Sequence, residues 1–120
     1  MKITRLLLFV TLIIQGCSDG SSDGCENETI QIAVSPNGVW AATVFSRNCG
    51  ATTAYSAHVY LDARDKPVAD MGNMYRGAHY GRAKVQWDGN NKLIITTDPG
   101  TETRLLMKEY SGVHIELVRE

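Results

Sequence analysis

The chain has 120 residues and carries 12 lysines and arginines against 13 aspartates and glutamates, a formal net charge of −1. This length is enough for one small domain with its own core and too short for two. The charges are scattered, with no basic run or stripe. We therefore expect neither a nucleic-acid partner nor electrostatic docking on anionic lipid.

The N-terminus has the organisation of an export signal. Lys2 and Arg5 precede an apolar run, Leu6–Ile14, and small or polar residues follow the run. A charged start, a short apolar centre and a small-residue end are typical of a secretory signal helix. The run has nine residues, whereas a membrane-spanning helix needs roughly 20. A retained transmembrane helix is therefore the less favoured interpretation.

The sequence Ile14-Gln15-Gly16-Cys17 resembles the lipobox of bacterial lipoproteins, in which the cysteine is lipidated and becomes the first residue after cleavage. The resemblance implies that Cys17 anchors the protein in a membrane of the bacterial cell envelope through its acyl chains. Two or three chains make such an anchor stable. In a Gram-negative host, an aspartate directly after the lipidated cysteine would prevent export to the outer membrane. Ser18 at this position therefore implies the periplasmic face of the outer membrane. A plain cleaved signal is the alternative.

Once Cys17 is assigned to the lipid, Cys25 and Cys49 are left as an even pair in an oxidising compartment. A disulfide is the favoured interpretation, and two free thiols or half of a metal site are the alternatives. No histidine or cysteine lies at a short ligand spacing from either residue, so we expect no metal and no cofactor. Residues 18–24 are small and polar, which is typical of a flexible tether. The expected organisation is a signal peptide at 1–16, a lipidated tether at 17–24 and one β-domain at 25–120.

The first predicted hairpin follows the tether. Ile30, Ile32 and Val34 alternate with less apolar residues, which predicts a strand with these three side chains on its buried face. Ser35-Pro36-Asn37-Gly38 predicts a three-residue hairpin loop ending in a left-handed glycine. The resulting register pairs residues whose numbers sum to 74: Ile30 with Val44, Ile32 with Ala42, Val34 with Trp40, and Cys25 with Cys49.

Further strands are predicted along the rest of the chain. Residues 55–62 alternate as a third strand with Ala57, Val59 and Leu61 on one face. A short strand at 68–71 and a mobile glycine-rich loop at 72–81 follow. The next hairpin joins 84–87 to 92–97, and a final one turns at 110–112, setting Met107 opposite Ile115 and Leu105 opposite Leu117. The expected fold class is all-β, an antiparallel meander of about six to eight strands after the signal helix, arranged as a curved sheet, sandwich or half-barrel.

Several of these segments together resemble small bacterial exported proteins of an uncharacterised domain family. The resemblance covers roughly residues 30–97 and implies an exported all-β module with no established activity. Its most specific part is the Gly-Ala-Thr-Thr string. The matching segments are Ser35-Pro36-Asn37-Gly38, Cys49-Gly50-Ala51-Thr52-Thr53-Ala54-Tyr55, Val85-Gln86-Trp87-Asp88 and Leu93-Ile94-Ile95.

The predicted loop at 72–81 is the first candidate for binding a partner. Its Tyr75, Arg76, His79 and Tyr80 are residue types that protein interfaces favour, because they combine a large contact area with polar tips. The alternative is that the tyrosines fold back onto the sheet. Residues 50–55, with the hydroxyls of Thr52 and Thr53, are a second candidate with the same structural alternative.

Catalytic motifs are missing from the sequence, so we do not expect an enzyme. The alternative is an envelope hydrolase in which His58 or His114 pairs with Asp62 or Glu116. We expect both histidines to face solvent instead. The favoured function is a lipid-anchored module that binds an envelope protein or component, an inhibitor or immunity factor being one form. A purely structural lipoprotein is the other alternative.

Overall fold

A computed structural model describes residues 24–50, 54–78 and 81–120. In these ranges the chain forms nine strands, which confirms the all-β class: β1 (Glu26–Val34), β2 (Trp40–Asn48), β3 (Ser56–Ala63), β4 (Tyr75–Gly77), β5 (Ala83–Trp87), β6 (Lys92–Thr97), β7 (Thr103–Leu106), β8 (Glu109–Tyr110) and β9 (Val113–Arg119). The predicted signal peptide, Cys17 and most of the tether lie outside the described residues.

The strands form a sandwich of two sheets. Sheet A has the order β1-β2-β3-β4-β7, and sheet B has the order β5-β6-β9-β8. All neighbours are antiparallel except β6 and β9, which are parallel. The chain leaves sheet B after β6, adds β7 to sheet A and then returns. Because of this crossing, the arrangement is mixed and not the purely antiparallel meander that the hairpin signals predicted.

The core lies between the two sheets and is built from alternate residues of their central strands. The predicted inward faces of β3 and of the β5–β6 hairpin are confirmed, with Val85 opposite Ile95 and Trp87 opposite Leu93. The fully or almost fully buried members include Val44, Val59, Leu61, Tyr75, Leu93, Ile95 and Val113.

The face of β1 that enters this core is the opposite of the predicted one. Ile30, Ile32 and Val34 are 58%, 62% and 42% exposed, while Ala33 packs against the core and Gln31 is half-buried. A one-residue shift in strand register moves every side chain to the other face of its sheet. The prediction that Ile30, Ile32 and Val34 are buried is therefore wrong.

The shift arises in the turn after β1. Ser35 N–H donates to the Trp40 carbonyl at 2.9 Å, so four residues form the loop in place of the predicted three. The Asn37 carboxamide oxygen accepts from the Ser35 hydroxyl at 2.7 Å and from Val39 N–H at 3.2 Å, which stabilises this longer loop. Gly38 takes the predicted left-handed conformation at φ 75°.

A β-bulge between Thr29 and Gln31 then restores the predicted register in the outer half of the hairpin. Glu26 opposes Asn48, and the predicted disulfide between Cys25 and Cys49 is present one pair further out. A disulfide that closes a loop of this length adds roughly 3 kcal/mol of stability in the chain-entropy model.

The last hairpin also turns differently from the prediction. Ser111 and Gly112 both have positive φ, at 48° and 85°, and form a two-residue turn with Tyr110 opposite Val113. Such turns match the twist of the flanking strands. Leu105 pairs with Arg76 in sheet A, so the predicted pairs of Met107 with Ile115 and of Leu105 with Leu117 are wrong.

Side-chain hydrogen bonds join the open side of the sandwich, where β1 lies beside β5. Gln31 Nε2 donates to the Val85 carbonyl at 2.9 Å, and Val85 N–H donates to Gln31 Oε1 at 3.0 Å. Trp87 Nε1 donates to the Ala33 carbonyl at 2.9 Å. The Gln31 carboxamide thus pairs with the edge of β5 in the way that a neighbouring strand would.

We expect Gln31→Met to lower the free energy of unfolding by about 1–3 kcal/mol, because the change keeps the volume and leaves the Val85 peptide groups without their partner. Chemical denaturation measures this. The matched control is Gln86→Met on the exposed face of β5, for which we expect a change within about 0.5 kcal/mol. Equal effects of the two substitutions would contradict the role given to Gln31.

Candidate functional site

A half-open cleft of about 790 Å³ lies at the disulfide end of the sandwich. It is formed by the first half of β1, the second half of β2, the start of β3, the start of β5 and the end of β6. Its lining includes Glu26, Glu28, Ile30, Val44, Phe45, Ser46, Ala57, Arg82, Lys84, Thr97 and Asp98. The volume falls in the range of about 300–1,000 Å³ that is typical of ligand sites.

The sequence places the cleft through three local features. The disulfide joins the ends of β1 and β2, and Ile30, the unpaired residue of the bulge, lies at the cleft. The buried side chains of Val44 and Ala57 provide apolar surface. No local motif could have identified this site, because its walls come from five strands of two sheets.

Charges of both signs surround the apolar surface. Glu26, Glu28 and Lys84 are exposed in the lining. Arg82 is exposed and paired with Asp98, with Nε 3.2 Å from Oδ2. Hydrogen bonds from the Arg82 side chain and backbone lower the pKa of Asp98. The cleft is therefore suited to a ligand that has an apolar part and groups of both charges.

In the part of the chain that the structure describes, no group of three or more His, Cys, Asp or Glu side chains could hold a metal ion. Over the same ranges, no helix is both long and apolar enough to cross a membrane.

His58 was expected to face solvent and is instead buried. Its Nδ1 accepts a hydrogen bond from Gly72 N–H at 2.9 Å, and its Nε2 lies 2.9 Å from the Ser56 hydroxyl. Burial, with the positive charges of Arg76 and Arg47 nearby, lowers the pKa of His58 from 6.5 to about 4. The ring is therefore neutral at physiological pH.

These bonds also fix which ring nitrogen carries the proton. Since Gly72 N–H must donate, Nδ1 of His58 is the acceptor and Nε2 carries the hydrogen, which it donates to Ser56 Oγ. A histidine that activates a serine needs the opposite arrangement, with Nε2 free to take the hydroxyl proton. The Ser56–His58 pair is thus arranged for structure and not for nucleophilic catalysis.

The other members of the hypothetical hydrolase site have separate partners. Glu116 pairs with Lys92 at 3.2 Å, and the Asp62 carboxylate accepts from the Tyr60 hydroxyl at 2.9 Å and from that of Tyr110 at 3.4 Å. His114 is exposed on β9 in sheet B. The described contacts do not bring His58, His114, Asp62 and Glu116 together.

The segment at 68–73, which we call the strap, joins β3 to β4 and bonds to the outer face of sheet A. The Asp70 carbonyl accepts from Asn27 Nδ2 and from Arg47 Nη1, each at 2.9 Å. Near these bonds the Phe45 ring packs against the His58 ring, with centroids 5.2 Å apart. The short strand predicted at 68–71 is absent, since the strap bonds across the sheet and does not extend it.

Two residues of the predicted partner-binding loop lie in strand β4. Tyr75 is fully buried opposite Val59, so its ring cannot contact a partner, and Arg76 is half-buried with Nε donating to the Gly72 carbonyl. The predicted mobile loop is therefore wrong for residues 75–77. His79, Tyr80, Thr52 and Thr53 lie outside the described residues.

The glycines that suggested mobility serve close packing instead. A Cβ on Gly77 would lie 2.6 Å from the Tyr75 hydroxyl, and one on Gly72 would lie 2.6–2.8 Å from backbone atoms of Tyr75 and Val59. No residue with a side chain fits at either position without a shift of its neighbours, because the Cβ would collide. This packing explains why a glycine-rich segment is ordered.

The lowered pKa of His58 predicts a pH-dependent stability. The unfolded chain binds a proton near pH 6.5, whereas the folded chain does so only near pH 4, so stability is complete above pH 6.5 and falls as the pH drops towards 4. The loss is at most about 3 kcal/mol. We expect His58→Asn, which retains an acceptor and does not titrate, to remove this part of the slope in denaturation measured from pH 7 to 4.

The matched control is His114→Asn, which should keep the slope of the native sequence. Parallel pH profiles for His58→Asn and the native protein would contradict this role of His58.

Comparison with known proteins gives one match. No curated protein and no solved structure matches the chain. A model of a protein family described as a family of unknown function, DUF5412, matches residues 4–107. The match covers most of the chain and includes the N-terminal apolar run, the cleft strands and seven of the nine described strands. The chain therefore belongs to the DUF5412 family of unknown function.

Proposed function

We propose that this protein is a bacterial envelope lipoprotein, anchored through a lipidated Cys17, whose cleft binds a segment of another envelope protein. The cleft at the disulfide end is the observation that carries the proposal. It combines buried apolar surface with exposed charges of both signs, as protein-binding sites commonly do.

Two features of the sequence support the anchor. Lys2 and Arg5 with the apolar run form the signal pattern, and Ile14–Cys17 has the spacing of a lipobox. The family match begins at residue 4, so the shared family sequence includes this region. In a Gram-negative host, Ser18 directs the anchored protein to the periplasmic face of the outer membrane.

The position of the cleft is consistent with a membrane-bound role. The chain enters the domain at Cys25, beside the cleft residue Glu26. A tether such as residues 18–24 has an r.m.s. span of roughly 15 Å. A lipid on Cys17 would therefore keep the cleft near the membrane surface, where it can reach segments of other envelope proteins.

Binding is favoured over hydrolysis by the described contacts. The hydrogen bond from Gly72 occupies Nδ1 of His58, and Asp62 and Glu116 bond to other side chains. No arrangement of a nucleophile, a base and an orienting group is found among the described residues of the cleft. A purely structural role would not account for the shape and charges of the cleft.

The anchor is tested by Cys17→Ala in cells grown with a palmitate analogue. We expect the variant to lose the label and to move from the membrane fraction to the soluble fraction, because the lipobox offers the lipid only this cysteine. Ser18→Ala is the matched control and should retain the label and the membrane location. A label that persists in Cys17→Ala would exclude lipidation at this residue.

The binding site is tested by placing a photo-crosslinking amino acid at Lys84, in the cleft lining, and at Lys108, an exposed lysine outside it. We expect irradiated cells to yield a discrete protein adduct from position 84 and not from position 108. Introducing Glu28→Lys, which reverses the charge of an exposed lining residue, should weaken the adduct. The same adducts from both positions, or none from position 84, would contradict the proposal.

A further inference from the structure

Strand β1 exposes an apolar surface that the fold of one chain leaves uncovered. Ile30, Ile32 and Val34, with Val39 in the following turn, are four of the seven large apolar residues that are exposed among those described. The outward orientation follows from the register, since Gln31 and Ala33 point towards sheet B. Contiguous exposed apolar residues of this kind mark interaction sites.

β1 is also an edge strand. No described strand pairs with its outer side, and it is nine residues long, without a charge from Thr29 to Val34. Natural proteins protect their sheet edges with charges, short strands, β-bulges or covering groups. β1 has a bulge between Thr29 and Gln31, but its segment from Gln31 to Val34 is regular and uncharged. The other three edges in the described part of the chain have such protection: Gln31 covers β5, Arg119 bonds to Thr103 of β7, and β8 has only two residues.

The direction of the backbone groups follows from the turn. Ser35 N–H bonds to the Trp40 carbonyl, and hydrogen-bonded pairs alternate with non-bonded pairs along an antiparallel ladder. Ala33 and Gln31 therefore bond to β2, while the N–H and C=O groups of Ile32 and Val34 point away from it. The outer edge of β1 thus presents both backbone groups and apolar side chains to a further strand.

We propose that two copies of this protein pair through β1, antiparallel, about a two-fold axis at Ile32. The sequence of the strand is complementary to itself in this register alone. Ile32 opposes Ile32 of the second copy, and Ile30 opposes Val34 in both directions, so all three apolar residues meet apolar residues. A shift of two residues either way brings Pro36 opposite Ile30, or Glu28 opposite Val34.

Charge complementarity supports the same register. Beyond Ile30, the first residues of β1, with Glu26 and Glu28, run past the turn at 36–39 of the second copy. The Arg64 guanidinium lies at this turn, with Nη1 3.5 Å from the position of a Cβ on Gly38. Each copy therefore brings its two carboxylates towards the arginine of the other, and no like charges lie opposite each other.

This inference goes beyond the proposed function and does not depend on it. Ile32 does not line the cleft, so substitutions there separate the two surfaces. Glu26, Glu28 and Ile30 belong to both surfaces. The two are therefore tested separately with residues outside this shared set, Ile32 for pairing and Lys84 for the cleft.

The test uses Ile30→Cys, Ile32→Cys, Val34→Cys and Val68→Cys in the full chain, treated with a short bis-maleimide. A residue on the two-fold axis faces its own copy at a Cα separation of about 5.5 Å. We expect a covalent dimer for Ile32→Cys, with the 32–32 linked peptide identified by mass spectrometry. Val68→Cys, an exposed apolar position on the strap, should give several-fold less dimer. Mixed Ile30→Cys and Val34→Cys chains should give a 30–34 link.

A second measurement protects the test against effects on folding. Ile32→Lys sets like charges opposite each other and should raise the dimer dissociation constant at least about tenfold in sedimentation analysis. Val68→Lys should leave it unchanged, and both should keep the thermal midpoint that the native protein has when it is diluted to a monomer. The proposal is overturned by a native chain that stays monomeric at high concentration, or by an Ile32→Cys chain that crosslinks no better than the Val68→Cys chain does.

Discussion

The hydrogen bonds between the Gln31 carboxamide and the Val85 peptide groups decide how the two sheets fit together. They place an uncharged polar side chain where the edge of β5 lacks a strand, and Trp87 returns a bond to Ala33. Burying an aliphatic side chain is worth about 1.5–3 kcal/mol, so this arrangement gives up much of what Ile32 and Val34 could contribute. Without Gln31, the Val85 peptide groups at the edge of β5 would be left unpaired inside the sandwich. The hydrogen bonds that Gln31 makes to them offset that loss.

The same choice sets the properties of both ends of β1. At the turn, the four-residue loop moves the strand by one position, and the bulge before Gln31 returns it to the register that sets Cys25 opposite Cys49. Ile30, at the bulge, lies at the edge of the cleft, and it is exposed together with Ile32 and Val34. Two local irregularities thus shape this strand: the loop exposes Ile32 and Val34, and the bulge lies beside the candidate binding site.

The sequence predicts correctly those features of the fold that depend on residues close together in the chain. Alternation predicts β3 and the β5–β6 hairpin with their buried faces, and pairing across the first hairpin predicts the disulfide. The glycines mark where the first and last hairpins turn but do not predict the lengths of those two turns. Prediction from the sequence fails for β1. Alternation shows that the strand has two faces, but it does not show which face packs against the other sheet. The deciding contact joins residues 54 apart.

Other features are just as remote from local pattern. Gly72 and Gly77 resemble loop glycines, and only the packing of Tyr75 shows why they are needed. The parallel pair of β6 and β9 follows from the crossing to β7, which no hairpin rule predicts. His58 stands on the polar face of its strand, yet the Gly72 N–H that binds its ring comes from the strap, which is remote in the chain. The cleft is lined by residues of five strands and has no motif of its own.

The register of β1 against β2 and β5 is open to direct measurement by nuclear Overhauser contacts in solution. The structure predicts a strong Hα–Hα contact between Ile32 and Thr43, because the two residues form a non-hydrogen-bonded pair, in which the backbones approach most closely. It also predicts contacts from the Gln31 side-chain amide to Val85. A contact of Ile32 Hα with Ala42 in place of Thr43, and no contact between Gln31 and Val85, would contradict the account.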